Sequence, residues 1–395
     1  MKSILPLTAL CTAILPQMAR AQVDVPPDGL RVSPTVRLLY DTNMLRQNDD
    51  LVTGDTDDLR ITPTVDLTFR RQIGMHLLTV VGSAGYDFHQ RYKFLDRERV
   101  TLLADGDLSV TGYCHARPRV RLNLAQANLE DQGVIVGNTQ RTQDYRLRVD
   151  CDRPYGFYPV ATVGYLKTTN SADARRKFNI STVLGAVGIG YSKESLGDVE
   201  LNFSYERFRR PHVDEAIPTL RDGAENYAAG ILFRRAVAPR LSWQVNANYI
   251  RTKPRADGLP SYSGLGYGAQ ANWRPSPRFS LLLDVDRSSR NQSSSGATYI
   301  IQTDVGLRAN LKAGARSTIT AGASWSHRNY KGELMLDPGE ARDRDTTRAV
   351  TAGYRYTLRD RLQAGLELRH ERRSTPVESY RYHYSSAMLF VGLDL

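Results

Sequence analysis

The sequence lacks any long apolar run, and nowhere approaches the ~18 consecutive apolar residues that a membrane-spanning helix needs. That absence excludes helical spans and leaves strands as the only route through a bilayer. A mean hydropathy of −0.43 does not argue against such strands, because alternating apolar and polar residues keep the average low. A Pro/Gly/Ser-rich linker is also missing and composition does not shift midway, so one domain is expected where the length would ordinarily suggest two or three. Catalytic signatures are absent. Gly185-Ala186-Val187-Gly188-Ile189-Gly190 has the outward form of a nucleotide loop, but Val183, Val187 and Ile189 continue a strand and no helix follows. His370-Glu371 has no second histidine four residues on, and Gly82-Ser83-Ala84-Gly85 is too short for a nucleophile elbow. The seven histidines are scattered singly, as polar strand or loop residues rather than metal ligands. No catalytic residue, metal site, cofactor or nucleic-acid partner is expected.

Lysine is scarce. With Lys2 and Arg20 set aside, only seven of the 51 remaining basic residues are lysines and the formal charge is +9. Arginine pairs bidentately with carboxylates and phosphates and is less strongly hydrated than lysine; a genome of high G+C content would give the same bias. Cysteine is scarcer still. Cys11 lies in an N-terminal stretch with a basic start at Lys2, a short apolar run from Ile4 to Leu15 and a small-x-small site at Ala19-Arg20-Ala21. This reads as a secretory signal peptide over residues 1–21, leaving a mature chain of residues 22–395 outside the cytoplasm. Cys114 and Cys151 remain, in a compartment that permits disulfides. Each precedes an Arg-Pro pair (CHARP and CDRP), so each is placed at a tight turn, two strands apart. Strand spacing then sets their Cα atoms roughly 9–10 Å apart, beyond bridging reach unless the turns lean together.

What is present is a rhythm. From Arg31 onward, segments of about ten residues with period-two alternation repeat. Leu59, Ile61, Pro63, Val65, Leu67 and Phe69 alternate with Arg60, Thr62, Thr64, Asp66, Thr68 and Arg70. Short turns at residues 71–74, 115–118, 153–156, 193–198, 237–240, 275–278, 312–316 and 358–361 alternate with long polar connections near residues 92–98, 130–142, 169–178, 209–225, 252–263, 288–298, 329–345 and 372–379. Short turns on one side and long loops on the other are the layout of a transmembrane antiparallel up-and-down β-barrel, all-β, with about 18 strands (16–18), short periplasmic turns and long extracellular loops. Aromatic residues gather at segment ends, among them Tyr86, Phe88, Phe157, Tyr158, Tyr165, Trp273, Tyr354, Tyr380, Tyr382 and Tyr384, as an interfacial girdle would require. The last sixteen residues, YRYHYSSAMLFVGLDL, run as a closing strand to the carboxylate. Leu389, Val391, Leu393 and Leu395 are expected to face lipid. Arg381 and His383 fit the lumen only if a bulge shifts the register between them and Leu389.

Ser33-Pro34-Thr35-Val36 followed by Tyr40-Asp41-Thr42-Asn43-Met44-Leu45-Arg46 resembles the opening of the β-barrel porin type 2 family, which includes barrels encoded with exopolysaccharide biosynthesis genes; Leu45 stands where an aromatic is common. The resemblance implies location in the outer membrane of a Gram-negative bacterium and a part in surface polysaccharide export. It brings no catalytic residue. Independently, the polar strand faces place Arg60, Arg70, Arg119, Arg121, Arg146, Arg148 and Arg308 in the lumen as candidate anion-binding groups. Pairing with Asp66, Asp150, Asp284, Asp286 and Asp304 across the lumen would instead hold the barrel together. The acidic loop from Asp41 to Asp58 is expected to be solvated, with cation binding or folding over the mouth as alternatives. The expected activity is an outer-membrane channel for an anionic solute, a saccharide or exopolysaccharide. The alternatives are a barrel plugged by residues 209–225 or 329–345 that serves in envelope structure or assembly, and a barrel-borne envelope hydrolase. Expected partners are outer-membrane lipid and lipopolysaccharide, the barrel assembly machinery, and an anionic polysaccharide with its export machinery.

Overall fold

The computed structural model describes residues 28–131, 135–151, 153–216, 222–238, 240–291, 297–333, 343–358 and 361–395. The expected signal peptide lies outside them. Eighteen strands follow one another: β1 (Gly29–Asp41), β2 (Asp58–Ile73), β3 (His76–His89), β4 (Arg97–Ser109), β5 (His115–Gln126), β6 (Thr139–Asp150), β7 (Tyr155–Asn170), β8 (Ile180–Lys193) and β9 (Gly197–Arg209). The second half comprises β10 (Ala224–Ala238), β11 (Leu241–Pro254), β12 (Tyr262–Ser276), β13 (Phe279–Arg290), β14 (Ala297–Lys312), β15 (Ser317–Glu333), β16 (Arg344–Leu358), β17 (Leu362–Ser374) and β18 (Tyr382–Leu393). Each pairs antiparallel with its neighbours in sequence, and β18 pairs with β1, so one 18-stranded sheet closes on itself. Closure is what a bilayer demands, because hydrocarbon cannot satisfy the amides of a free edge.

Alternation sets the two faces. In β2, Ile61 and Val65 point outward while Thr62 and Thr64 are buried inside. The same division places Val163, Val187, Leu201, Leu307, Val350 and Leu389 in an outer apolar band. Two prolines interrupt the ladder. Pairing between β2 and β3 skips from Ile61 to Thr64 around Pro63, and pairing between β4 and β5 skips from Arg119 to Ala116 around Pro118, since proline has no N–H to donate. Large lumen rings also need bare backbone beside them. A Cβ on Gly190 would fall 2.1 Å from the Tyr158 ring, and one on Gly365 would fall 2.4 Å from Phe390.

The structure corrects three local expectations. The connection after β4 occupies residues 110–114, not 115–118: Val110 N–H donates to the Cys114 carbonyl at 2.7 Å, Gly112 lies within the turn, and His115-Ala116-Arg117-Pro118 opens β5. Cys114 and Cys151 therefore end adjacent strands next to the His115–Asp150 pair, with Cα atoms 3.8 Å apart, and are joined as a disulfide. In β18 no bulge occurs; pairing with β17 runs unbroken from Leu393 to Tyr382. Leu389, Val391 and Leu393 face outward, and so does His383. Tyr382 and Tyr384 take the lumen face, and together with Tyr158 and Tyr380 they are buried rather than part of a girdle. Outward aromatics do include Tyr86, Phe88, Phe157, Tyr165, Trp273 and Tyr354.

The seam is fastened by the chain's end. Ser33 Oγ donates to Asp394 Oδ1 at 2.6 Å, Gln363 Nε2 to Asp394 Oδ2 at 2.9 Å, and the Leu395 amide to the Val32 carbonyl at 3.0 Å.

Candidate functional site: the lumen and its constriction

All seven arginines singled out in the sequence lie on the lumen face of their strands, in different electrostatic settings. Arg60 stands 3.7 Å from Asp87, and Arg70 3.9 Å from Asp28. Arg119 pairs with Asp105 at 2.5 Å and Arg146 with Asp144 at 3.0 Å. Arg148 bridges Asp150 at 2.6 Å and Glu200 at 3.0 Å. Arg121 and Arg308 have no carboxylate within ion-pair distance among the described residues. Of the aspartates named with them, Asp66 pairs with Arg37 at 3.1 Å, Asp150 with Arg117 and Arg148, and Asp286 and Asp304 share Arg290 at 2.6 and 2.8 Å. Sequence reasoning missed Arg99, Arg117, Arg234, Arg290 and Glu200. For Arg117 a signal existed, since it shares the period-two face of Arg119 and Arg121, but it had been placed in a turn.

Carboxylates are shared along one wall. Arg117, Arg148 and Arg234 share Asp150 and Glu200, with Arg117 also reaching Asp107 at 3.8 Å, while Arg60 and Arg99 divide Asp87. Together with Arg121, this leaves an excess of guanidinium over β2–β6 and β10. Nine strands on, and so on the opposite side of the closed sheet from β4 and β5, strands β13 and β14 carry Asp284, Asp286 and Asp304 against Arg290 and Arg308. The lumen thus has a basic wall facing a more acidic one, and in a water-filled pore such a field orders ions across the channel. Asp144, Arg146, Thr168, Thr182 and Glu206 line a small recess of about 70 Å³ on the wall, where Asn291 Nδ2 reaches Glu206 at 2.8 Å.

Three extracellular loops close over this space: L1 (residues 42–57), L2 (90–96) and L3 (127–138, of which 132–134 are outside the described residues). Met44 of L1, Leu95 of L2 and Leu129 of L3 form a small apolar core with Leu39, Leu45, Tyr92 and Ile135 packed on it. The segment Tyr40–Arg46 builds its foundation. Buried Asp41 holds the Asn43 amide at 2.9 Å and the Arg46 guanidinium at 2.7 Å, and that guanidinium stacks over the Tyr384 ring at 3.4 Å. Asn43 in turn donates to the Gln47 carbonyl at 2.7 Å. Five of the six aspartates from Asp41 to Asp58 have protein partners: Arg46 for Asp41, Asn43 for Asp49, Arg91 for Asp55 and Asp57, and His89 for Asp58. Among the described residues no group of three or more His, Cys, Asp or Glu side chains is placed to hold a metal.

L3 reaches the far wall. Asp131 accepts from Arg328 of β15 at 3.2 Å and from Arg373 of β17 at 2.8 Å, and both arginines also bind Asp345 of β16, Arg328 at 2.8 Å. Tyr330 donates to Asp345 at 2.6 Å. Arg373 and Asp345 are fully shielded from solvent, so the cluster is a buried electrostatic latch. Beside it, Tyr382 Oη lies 2.8 Å from Glu130 Oε2 and 2.9 Å from Glu371 Oε1. One hydroxyl proton cannot serve two carboxylates. At any instant the Tyr382 hydroxyl donates to one of the two, and Arg369 also binds Glu371. Burial is the main cause that raises the Glu130 carboxyl above its ordinary value of 4.5; Arg328 opposes it, and Asp131 adds to it.

A second set of contacts covers the other side of the mouth. Arg210 and Asp222, both completely buried, pair at 3.2 Å between β9 and β10, and Arg210 also donates to the Ala297 carbonyl. The two segments expected to plug the barrel are only partly described, residues 217–221 and 334–342 lying outside. The loop described as crossing the lumen is L3, which had no such assignment.

No curated protein sequence matches this chain. Among solved structures, the barrels of Pseudomonas aeruginosa OccK2 (OpdF) in complex with glucuronate and of P. aeruginosa OpdK are each similar over 93% of this chain, at TM-score 0.47, with 11% and 12% identity and 98% and 99% of their own chains covered. Acinetobacter baumannii OccAB3 covers likewise 93% of this chain and 99% of its own, at 9% identity and TM-score 0.45. The model of the family described as Putative beta-barrel porin 2 matches residues 30–395, from the first strand through the seam, and this porin-type outer-membrane barrel belongs to that family.

Proposed function

We propose that this protein is a diffusion channel for anionic hydrophilic solutes, a carboxylate-bearing saccharide or exopolysaccharide above all, and that it acts without catalysis after a signal peptide over residues 1–21 is removed. The observation that carries this reading is the sharing of carboxylates on the basic wall: five arginines, Arg60, Arg99, Arg117, Arg148 and Arg234, contact four acids, and Arg121 stands beside them without one among the described residues. Shared guanidiniums retain donors for a passing carboxylate, and arginine offers them as a planar fork. Hydroxyl-bearing solutes find Thr168, Thr182 and Asn291 along the recess. Purified protein in a planar bilayer should conduct anions in preference to cations, and replacing Arg119, Arg121, Arg146 and Arg148 by glutamine should reduce that preference. A cation-selective pore overturns the reading.

The latch of L3 favours a second reading, a barrel held shut that serves as a structural or assembly component of the envelope. Absence of conductance at any voltage, with the glutamine variants equally silent, would select it. An envelope hydrolase has no comparable observation in its favour.

A further inference from the structure

One register row on the outer surface carries two arginines and a histidine on three neighbouring strands. Arg348 of β16 stands directly opposite Arg372 of β17, which stands opposite His383 of β18, and Trp325 of β15 completes the row beside Arg348. All three side chains are outward and exposed, His383 at 65%. Their strand neighbours Ala349, Glu371 and Tyr382 are buried toward the lumen, so no rotation of the row into the pore is available. Like charges facing each other across strands repel, and a sheet gains nothing by stacking them unless an anion lies over them. Acidic company is thin: Asp49 approaches His383 at 3.5 Å, and among the described residues no carboxylate lies within ion-pair distance of Arg348 or Arg372. Elsewhere on the outer face Arg207 has Glu225 at 3.9 Å.

The height of the row identifies its occupant. One register step below lies Val350, and one step further down lie Leu368 and Tyr40, exposed members of the apolar band. Trp325, in the row itself, is the residue type that marks the level of lipid headgroups. A ligand here has acyl chains lying on Val350 and Leu368 and negative charge at Arg348 and Arg372. With strands about 4.8 Å apart, Arg348, Arg372 and the His383 ring extend over roughly 10 Å, the scale of a headgroup with more than one phosphate. We propose that the outer face of β15–β18 binds a lipid whose headgroup bears phosphate monoesters. The site is independent of solute passage through the lumen.

The test uses the full-length protein in detergent micelles, studied by native mass spectrometry with diphosphoryl lipid A, with phosphatidylethanolamine and with inorganic phosphate. Wild type should retain diphosphoryl lipid A in preference to phosphatidylethanolamine, and inorganic phosphate at equal concentration should not displace it. In R348Q/R372Q retention should fall by at least about tenfold, as expected for two lost basic contacts at a lipid surface. R121Q/R308Q, which removes the same charge from the lumen, should bind as wild type does, and heat-modifiable gel mobility verifies that each variant is a closed barrel. Equal retention in R348Q/R372Q and wild type overturns the proposal, as does an equal loss in R121Q/R308Q. Displacement by inorganic phosphate alone overturns the lipid assignment. Multimers that form without lipid and dissociate in R348Q/R372Q would assign the row to contact between copies and overturn it too.

Discussion

Replacing Asp131 by asparagine tests whether L3 is the element that narrows the pore. In the wild type Asp131 shares Arg328 and Arg373 with Asp345 in a site closed to water, with Glu130 at 3.7 Å from Arg328. The amide of D131N cannot supply that negative charge, so two buried cations would be left with Asp345 and, 3.7 Å from Arg328, Glu130. Removing one member of a buried ion pair costs about 3–5 kcal/mol because the remaining charge is stranded. The apolar contacts of Leu129 with Met44 and Leu95 are untouched and continue to hold the loop. Taking ~3 kcal/mol as the loss to the latched state, the ratio of released to latched loop rises by more than about a hundredfold, at 1.4 kcal/mol per tenfold. Single-channel recording in a planar bilayer should then show a higher conductance level, or much longer dwells in it, for D131N at neutral pH. Heat-modifiable gel mobility establishes that the barrel itself is closed. Conductance levels and dwell times indistinguishable from wild type in a folded D131N barrel would refute the role given to L3.

Three further expectations follow from the same contacts and from the anion field. Glu130 holds its proton more tightly in the latched loop than its ordinary 4.5, so its contribution is fully present below that pH and is lost as pH rises through the raised value; the high-conductance fraction should therefore grow on going from pH 4.5 upward, and E130Q, always neutral, should flatten that dependence. Asp131, Glu371, Arg328 and Arg373 face Glu130 and remain in the variant, so a pH profile unchanged by E130Q would refute the assignment of the titration to Glu130. Replacing Cys114 and Cys151 by alanine opens a covalent loop with a sequence separation of 37 and should cost up to ~4 kcal/mol by loop entropy, read as a lower urea midpoint without altered conductance. Raising ionic strength from 0.1 to 1 M should weaken anion selectivity, because the Debye length contracts from about 10 to 3 Å and screens the half-buried guanidiniums of the basic wall where they meet lumen water; selectivity independent of salt would count against the field.

The barrel was legible because its physics is local. Period-two alternation and the contrast between short and long connections depend only on neighbouring residues, and they give about eighteen strands, the number the structure has. Where a local signal was ambiguous the reading slipped: His115-Ala116-Arg117-Pro118 has turn chemistry, but Gly112 lies in the loop that turns, and a shift of a few residues turned an apparently distant cysteine pair into neighbours. β18 was ambiguous for another reason, since tyrosines on one face and aliphatics on the other are both apolar. Only burial distinguishes Tyr382, bonded to carboxylates, from Leu389 in the outer band. The latch left no trace in the chain. Asp131 and Arg373 are separated by 242 positions, and nothing near either one indicates the other.

The join between β1 and β18 differs in kind from the other seventeen. Its seven pairs compare with thirteen between β1 and β2, and its Ser33–Asp394 bond links residues 361 positions apart. Every other strand meets its neighbour across a short turn or one loop, so those hairpins can form as the chain collapses, whereas this joint must wait until the two ends of a nearly complete sheet find each other. Until then two bare edges face outward, each able to pair with a foreign strand. Asp394, which gathers Ser33 and Gln363, and the Leu395 amide on Val32 are thus a clasp that acts late, and the time this protein spends vulnerable during assembly is set at that single joint.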